Sequence, residues 1–149
     1  MSSVMILGVL ASAADRQSLR YIVDAFNWKL EFSYGIETIQ RILQESDTGV
    51  IITDCVLPDG NSWRDLLTEI QAQPLPPSLI VADRHADDRL WAEVLNLGAY
   101  DLVAKPFDAN EVFRVISSAW RSWKYQYEQA ERRRNAIASA MLRSMAASV

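Results

Sequence analysis

The sequence predicts an α/β fold with a doubly wound parallel sheet, and three observations carry that expectation. Five short apolar runs bounded by turn residues occur at Val4 to Leu10, Leu30 to Tyr34, Val50 to Thr53, Leu79 to Ala82 and Asp101 to Ala104. Three of them are almost continuously apolar, as strands buried on both faces must be. Segments with helical spacing separate each run from the next, and strict alternation of strand and helix folds through right-handed crossovers into one sheet with helices on both sides. The chain has 149 residues, 50% of them hydrophobic, which suffices for one core without disulfide or metal staples.

The elements follow in order. The opening stretch MSSVMILGVLASAADRQ lacks the basic leader of a secretory signal, so its apolar run reads as a buried first strand. Asp15 is expected to cap a first helix that buries Leu19, Ile22, Val23 and Phe26, and Ile36, Ile39, Ile42 and Leu43 form the face of a second. Asn61 or Ser62 opens a third with Trp63, Leu66, Leu67 and Ile70, which the prolines of QPLPPS must end. Asp87 or Asp88 opens a fourth, stopped by Gly98.

The fifth helix is longer than a small domain can cover. From Asp108 to the last residue there is neither Pro nor Gly, and these 42 residues extend about 60 Å at 1.5 Å per residue. Val112, Ile116, Ala119, Trp123, Ala130 and Ile137 follow a loose heptad stripe, weakened at Gln126 and Arg133. Trp120, Trp123, Tyr125 and Tyr127 suit an interface, since exposed aromatics are costly in water. The organisation expected is a globular unit over residues 4–122 and a helical extension over 123–149 that pairs with a second copy or docks a partner.

Charge and composition narrow the function. Residues 1–107 hold 15 acidic and 8 basic side chains, a net −7, while 108–149 hold 4 acidic and 7 basic, a net +3. An acidic body argues against nucleic acid as the main ligand, because phosphate contacts need clustered Lys and Arg. The run Arg132, Arg133, Arg134 has Glu128 and Glu131 a turn away and reads as a solvated helix face. No apolar run approaches the roughly 20 residues of a membrane span, and the single Cys55 forms no intramolecular disulfide. Both fit a cytoplasmic protein. Cys55 reads as small core filling beside a strand end. His85, the only histidine, supports no histidine metal cluster and is expected in a solvated loop. A Gly-rich phosphate loop is absent.

Ligands of open α/β sheets bind outside the carboxyl ends of the strands. The third strand delivers Asp54 there, the fourth Asp83 and the fifth Lys105, so Asp54 and Lys105 are a plausible pair, either an ion bridge or a site of chemistry. The stretch IITDCVLPDGNSWRDLL resembles the phosphoacceptor strand and loop of response-regulator receiver domains, and LGAYDLVAKPF resembles their last strand with its Lys-Pro-hydrophobic ending. The resemblance extends over residues 4 to about 122. It implies a flavodoxin-like five-stranded sheet in the order 2-1-3-4-5. It also implies phosphotransfer from a histidine kinase to Asp54, aided by Mg²⁺ and Lys105, and a Lys105-Pro106 bond that is often cis.

Three positions depart from that pattern. Receivers usually end the first strand with two acidic residues that hold Mg²⁺, and here Leu10, Ala11 and Ser12 stand there, with Asp15 too far along the chain to replace them. The Thr or Ser that normally follows the fourth strand falls on Asp83, and the aromatic switch position of the fifth falls on Leu102, with Tyr100 two residues early. Two carboxylates roughly 5 Å apart repel by about 3 kcal/mol at an effective dielectric of 20, and a phosphoryl group adds to that. Phosphoryl transfer depends on cations that neutralise the moving oxygens. The expectation is therefore an atypical receiver that works by binding proteins rather than as an enzyme. Phosphorylation at Asp54 is impaired or absent, no metal is bound, and Asp54, Lys105 and Asp83 hold one fixed state. The alternative is a conventional phosphorylatable receiver in which Asp83 and Asp59 supply replacement oxygens for Mg²⁺.

Overall fold

The strands alternate their side chains between two apolar layers, and this alternation sets the architecture. The computed structural model describes residues 4–148, in which β1 (Met5–Val9), β2 (Lys29–Phe32), β3 (Val50–Asp54), β4 (Ser78–Asp83) and β5 (Asp101–Ala104) form one parallel sheet. Its order is β2-β1-β3-β4-β5, as the receiver resemblance implies. Val50 and Ile52 point into one layer with Ile80 and Ala82, whereas Ile51 points into the other with Leu79 and Val81. The period-2 geometry of a strand produces this division.

Helices α1 (Ala13–Ala25) and α5 (Ala109–Ala147) close the first layer with Leu19, Ile22, Val23, Val112, Val115, Ile116 and Ala119. Helices α2 (Ile36–Glu45), α3 (Trp63–Gln71) and α4 (Asp88–Leu97) close the second with Ile39, Trp63, Leu66, Leu67, Ile70 and Val94. Each such side chain contributes about 1.5–3 kcal/mol on burial. Ser62 starts α3 with a reciprocal capping box to Asp65, Asp87 caps α4, and Asp108 caps α5. Gly98 ends α4 at φ 102°, a left-handed conformation that a side chain would strain.

The start of α1 differs from the sequence expectation. Ser12 is its cap, accepting a hydrogen bond from the Asp15 N–H at 3.4 Å, so Asp15 lies in the first turn and is buried. Phe26, expected in the core, sits at the helix end beside the Trp28 and Phe113 rings, with 36% of its surface exposed. The expected length of α5 is found, since it is helical to Ala147; Val149 lies outside the described residues. Its burial stops much earlier. Trp123 is buried, Tyr127 and Ala130 are half-buried, and 131–148 are exposed throughout. Trp123 is thus core rather than the exposed aromatic expected. It covers Gly49, where a Cβ would stand 2.7 Å from the indole Cε3. No helix of the described residues is long and apolar enough to cross a membrane.

Candidate functional site

The carboxyl edge of the sheet brings together Asp54, Lys105 and a residue the sequence reading had set aside. Asp54 ends β3 between β1 and β4, and its Oδ2 accepts the Ala11 N–H at 2.8 Å. Lys105 follows β5, and the bond to Pro106 is cis. Its ammonium pairs with Asp54 Oδ1 and, at 3.0 Å, with Asp15 Oδ2. The three side chains are only 9–12% exposed. Asp15 Oδ1 also meets the exposed Arg84 guanidinium at 3.5 Å. Two carboxylates and two cations therefore close a formally neutral cluster.

The expected trio of Asp54, Lys105 and Asp83 is corrected by this geometry. Helical side chains lean toward their own N-terminus. From the first turn of α1, Asp15 is directed back over the strand ends, where it takes the place beside Lys105. Asp83 instead accepts the His85 N–H at 3.0 Å and stands near the Cys55 thiol. Burial first, and the Asp83 charge second, push that thiol up to about 11, so Cys55 is not an activated nucleophile. His85 is exposed, as expected.

Lys105 is held above its ordinary value: burial opposes the charge, but hydrogen bonds to Asp54 and Asp15 outweigh it. Asp54 Oδ1 takes no hydrogen bond from any other described residue, so the ammonium is its one partner. The β1–α1 loop is fixed around the pair by Arg16, whose guanidinium donates to the Leu10 and Ala11 carbonyls at 2.9 Å each.

The residues here do not fit a hard divalent cation. Leu10 is fully buried and Ala11 offers only its N–H, so the end of β1 supplies no carboxylate oxygen. Asp59 accepts the Ile36 N–H at 3.1 Å and the Asn61 N–H at 2.9 Å, fastening the β3–α3 loop to the start of α2; burial, the largest single influence, raises its carboxyl, and the hydrogen bonds together outweigh it and hold it below the usual range. It is not joined with Asp83. Among the described residues no three His, Cys, Asp or Glu side chains are grouped to hold a metal ion.

Tyr100, just before β5, and Leu102 within it face opposite layers. Leu102 is half-buried against the α2–α4 side. Tyr100 packs into the α1–α5 layer, and its hydroxyl is hydrogen-bonded to Ser118 of α5. Sequence reasoning missed Arg84 and this Tyr100–Ser118 bond; Arg84, directly after Asp83, could have been found by its place at a strand end.

A family model of the response regulator receiver domain matches residues 12–117. The chain is 28% identical over 109 residues to the transcriptional regulatory protein FixJ of Bradyrhizobium diazoefficiens, covering 73% of this chain and 53% of that protein. It is 29% identical over 120 residues to the DNA-binding transcriptional regulator NtrC of Rhizobium meliloti, covering 80% of this chain and 24% of that one. The chain thus spans about half the length of the first relative and about a quarter of the second. Among solved structures, full-length FixJ from B. japonicum superposes with a TM-score of 0.74 at 25% identity, covering 86% of this chain and 63% of that one. The chemotaxis response regulator CheY4 of Vibrio cholerae shares the fold, with a TM-score of 0.69 at 16% identity over 79% of this chain and 99% of its own.

Proposed function

Because the chain belongs to the response regulator receiver domain family, we propose that it is an atypical receiver of two-component signalling, acting by protein–protein interaction with phosphorylation at Asp54 impaired or absent. One observation carries this reading. The place between carboxylates that a metal ion would need is filled by the tethered ammonium of Lys105, bridging Asp54 and Asp15. A phosphoryl group on Asp54 would add negative charge beside a second buried carboxylate, with one buried cation to oppose both. Supporting it, Asp83 presents a carboxylate where a hydroxyl would meet a phosphate, and Leu102 and the bonded Tyr100 leave no free aromatic to report one. In this reading residues 4–122 are the receiver unit. The extension over 123–149 joins two copies or docks a histidine kinase or other signalling protein.

Incubating the whole chain with a small phosphodonor and Mg²⁺, then measuring intact mass, tests it. The expected result is the unmodified 16.8 kDa chain. A phosphoryl group on Asp54 establishes the conventional reading instead, in which Asp54 accepts phosphate from a histidine kinase with Mg²⁺. One observation favours that second reading: Asp15 returns a carboxylate to a site whose first strand lacks one.

A further inference from the structure

The exposed half of α5 carries an apolar stripe that runs on from its buried half. The stripe does not follow the seam through Gln126 and Arg133 expected from sequence, because Gln126 is exposed while Tyr127 and Ala130 are half-buried and the Trp123 and Tyr127 rings lie 5.2 Å apart. From Trp123 it passes through Tyr127, Ala130, Arg134, Ile137, Met141 and Met145, which at 3.6 residues per turn all fall within roughly 40° of one direction. Ile137, Met141 and Met145 are 54%, 60% and 67% exposed.

Beneath the first part of this stripe, at the end of the sheet opposite Asp54, opens a groove of about 420 Å³. Leu43, Leu75, Pro77, Trp123 and Tyr127 give it apolar walls, and Asp47 and Arg134 stand at its polar side. The Trp123 Nε1–H is buried and has no hydrogen-bond partner among the described residues.

The geometry points to a second copy of this chain as the occupant: two α5 helices lie antiparallel over 124–147, and Met141 and Met145 of each copy enter the groove of the other. This rests on the reading of α5 as an association helix and adds its direction and its receptor. Charge selects the antiparallel sense. Residues 132–148 contain Arg132, Arg133, Arg134 and Arg143 and no acidic side chain, whereas the body over 1–107 carries a net −7. A parallel pair sets Arg143 beside Arg143 and Glu128 beside Glu128, which like-charge repulsion opposes. The antiparallel pair that aligns Lys124 with Ala147 sets Arg143 against Glu128 and Arg134 against Ile137. It also brings each basic end toward Asp47 of the other copy.

The overlap over 124–147 is about 24 residues, roughly 36 Å at 1.5 Å per residue, and it sets Met141 and Met145 of one helix opposite Ala130 and Gln126 of the other. Methionine suits the contact, being unbranched and able to fill an irregular groove. Two-fold symmetry makes both contacts identical, and pairing covers helix that alone would be marginal in water.

Light scattering on the full chain tests the proposal, with an expected mass twice 16.8 kDa at micromolar concentration. The double substitution Met141→Glu with Met145→Glu lies on exposed helix and leaves the fold intact; it should weaken self-association at least a hundred-fold and return the single-chain mass. In a Cys55→Ser background, Gln126→Cys with Met145→Cys should oxidise to a disulfide-linked dimer. Within one helix those positions are about 28 Å apart, so they cannot bridge in one chain. Met141→Cys alone, whose two copies stand about 16 Å apart along the antiparallel pair, should not cross-link. A single-chain mass at every concentration overturns the association helix and this inference together. A dimer that survives the double glutamate, or that cross-links through Met141→Cys alone, overturns the groove docking and leaves an association helix of another geometry.

Discussion

The two ends of the sheet treat polar groups in opposite ways. At the carboxyl edge every buried charge has its opposite within 3.5 Å: Asp54 meets Lys105, Lys105 meets Asp15, and Asp15 meets Arg84. At the far edge an apolar groove stays open and the indole N–H of Trp123 has no partner among the described residues. The same parallel strands feed both ends, so the fold alone does not decide this. Side chains do. The end that resembles the phosphoacceptor site of the family is closed by its own ion pairs, and the end built around α5 is left with surface to cover.

Replacing Lys105 by Met probes the closed end most severely. It leaves Asp54 and Asp15 buried without their shared cation, and removing one partner of a buried pair costs about 3 kcal/mol or more. Urea unfolding should show that loss, and adding Asp15→Asn should recover part of it, since one buried charge is then removed. An unchanged midpoint in the single variant would mean that water already screens these carboxylates and that the contrast between the ends is false.

Gly49→Ala probes the open end. A Cβ there stands 2.7 Å from Trp123 Cε3 and 3.1 Å from Trp120 Cδ1, so α5 must shift, at about 1–3 kcal/mol for overpacking. The same unfolding measurement reads it, and indole fluorescence should shift with it.

A smaller effect follows from pH. Lys105 binds its proton more tightly in the folded chain than at its ordinary value of 10.5. Its contribution to stability is therefore fully present below pH 10.5 and is lost as pH rises from there through the raised folded value. Lys105→Met should lack that alkaline decline beyond what Cys55 and Tyr127 contribute. Cys55 sets the lowest bar: with its thiol pushed up from 9.0 to about 11, alkylation near pH 8 should run about a hundred-fold slower than for a free thiol, with stability untouched.

Much of the architecture was legible from pattern. Alternating apolar runs give the five strands, Asn61 or Ser62 and Asp87 or Asp88 bracket two helix starts, and Gly98 marks a stop. Asp54 and Lys105 follow from position at strand ends. What escaped depends on direction in space. Asp15 was read as a cap because it precedes an apolar face, but one turn of helix separates a cap from a side chain aimed over the sheet. Asp83, at a strand end like Asp54, turns instead to the next loop and to Cys55. The α5 stripe keeps Trp123, Ala130 and Ile137 but passes through Tyr127 beside the weak point at Gln126, since heptad spacing does not reveal which of two neighbours the Gly49 side of the domain will cover.

The salt bridge from Lys105 to Asp15 joins residues 90 positions apart, and that separation has a bearing on synthesis. A ribosome adding about 5–20 residues per second releases Asp15 and Asp54 several seconds before Lys105 exists. Until then both carboxylates must stay hydrated, which holds the first three strands short of their final burial. The closing ammonium thus makes completion of the nascent sheet wait for its last strand, and a chain released before residue 105 would have no stable stopping point.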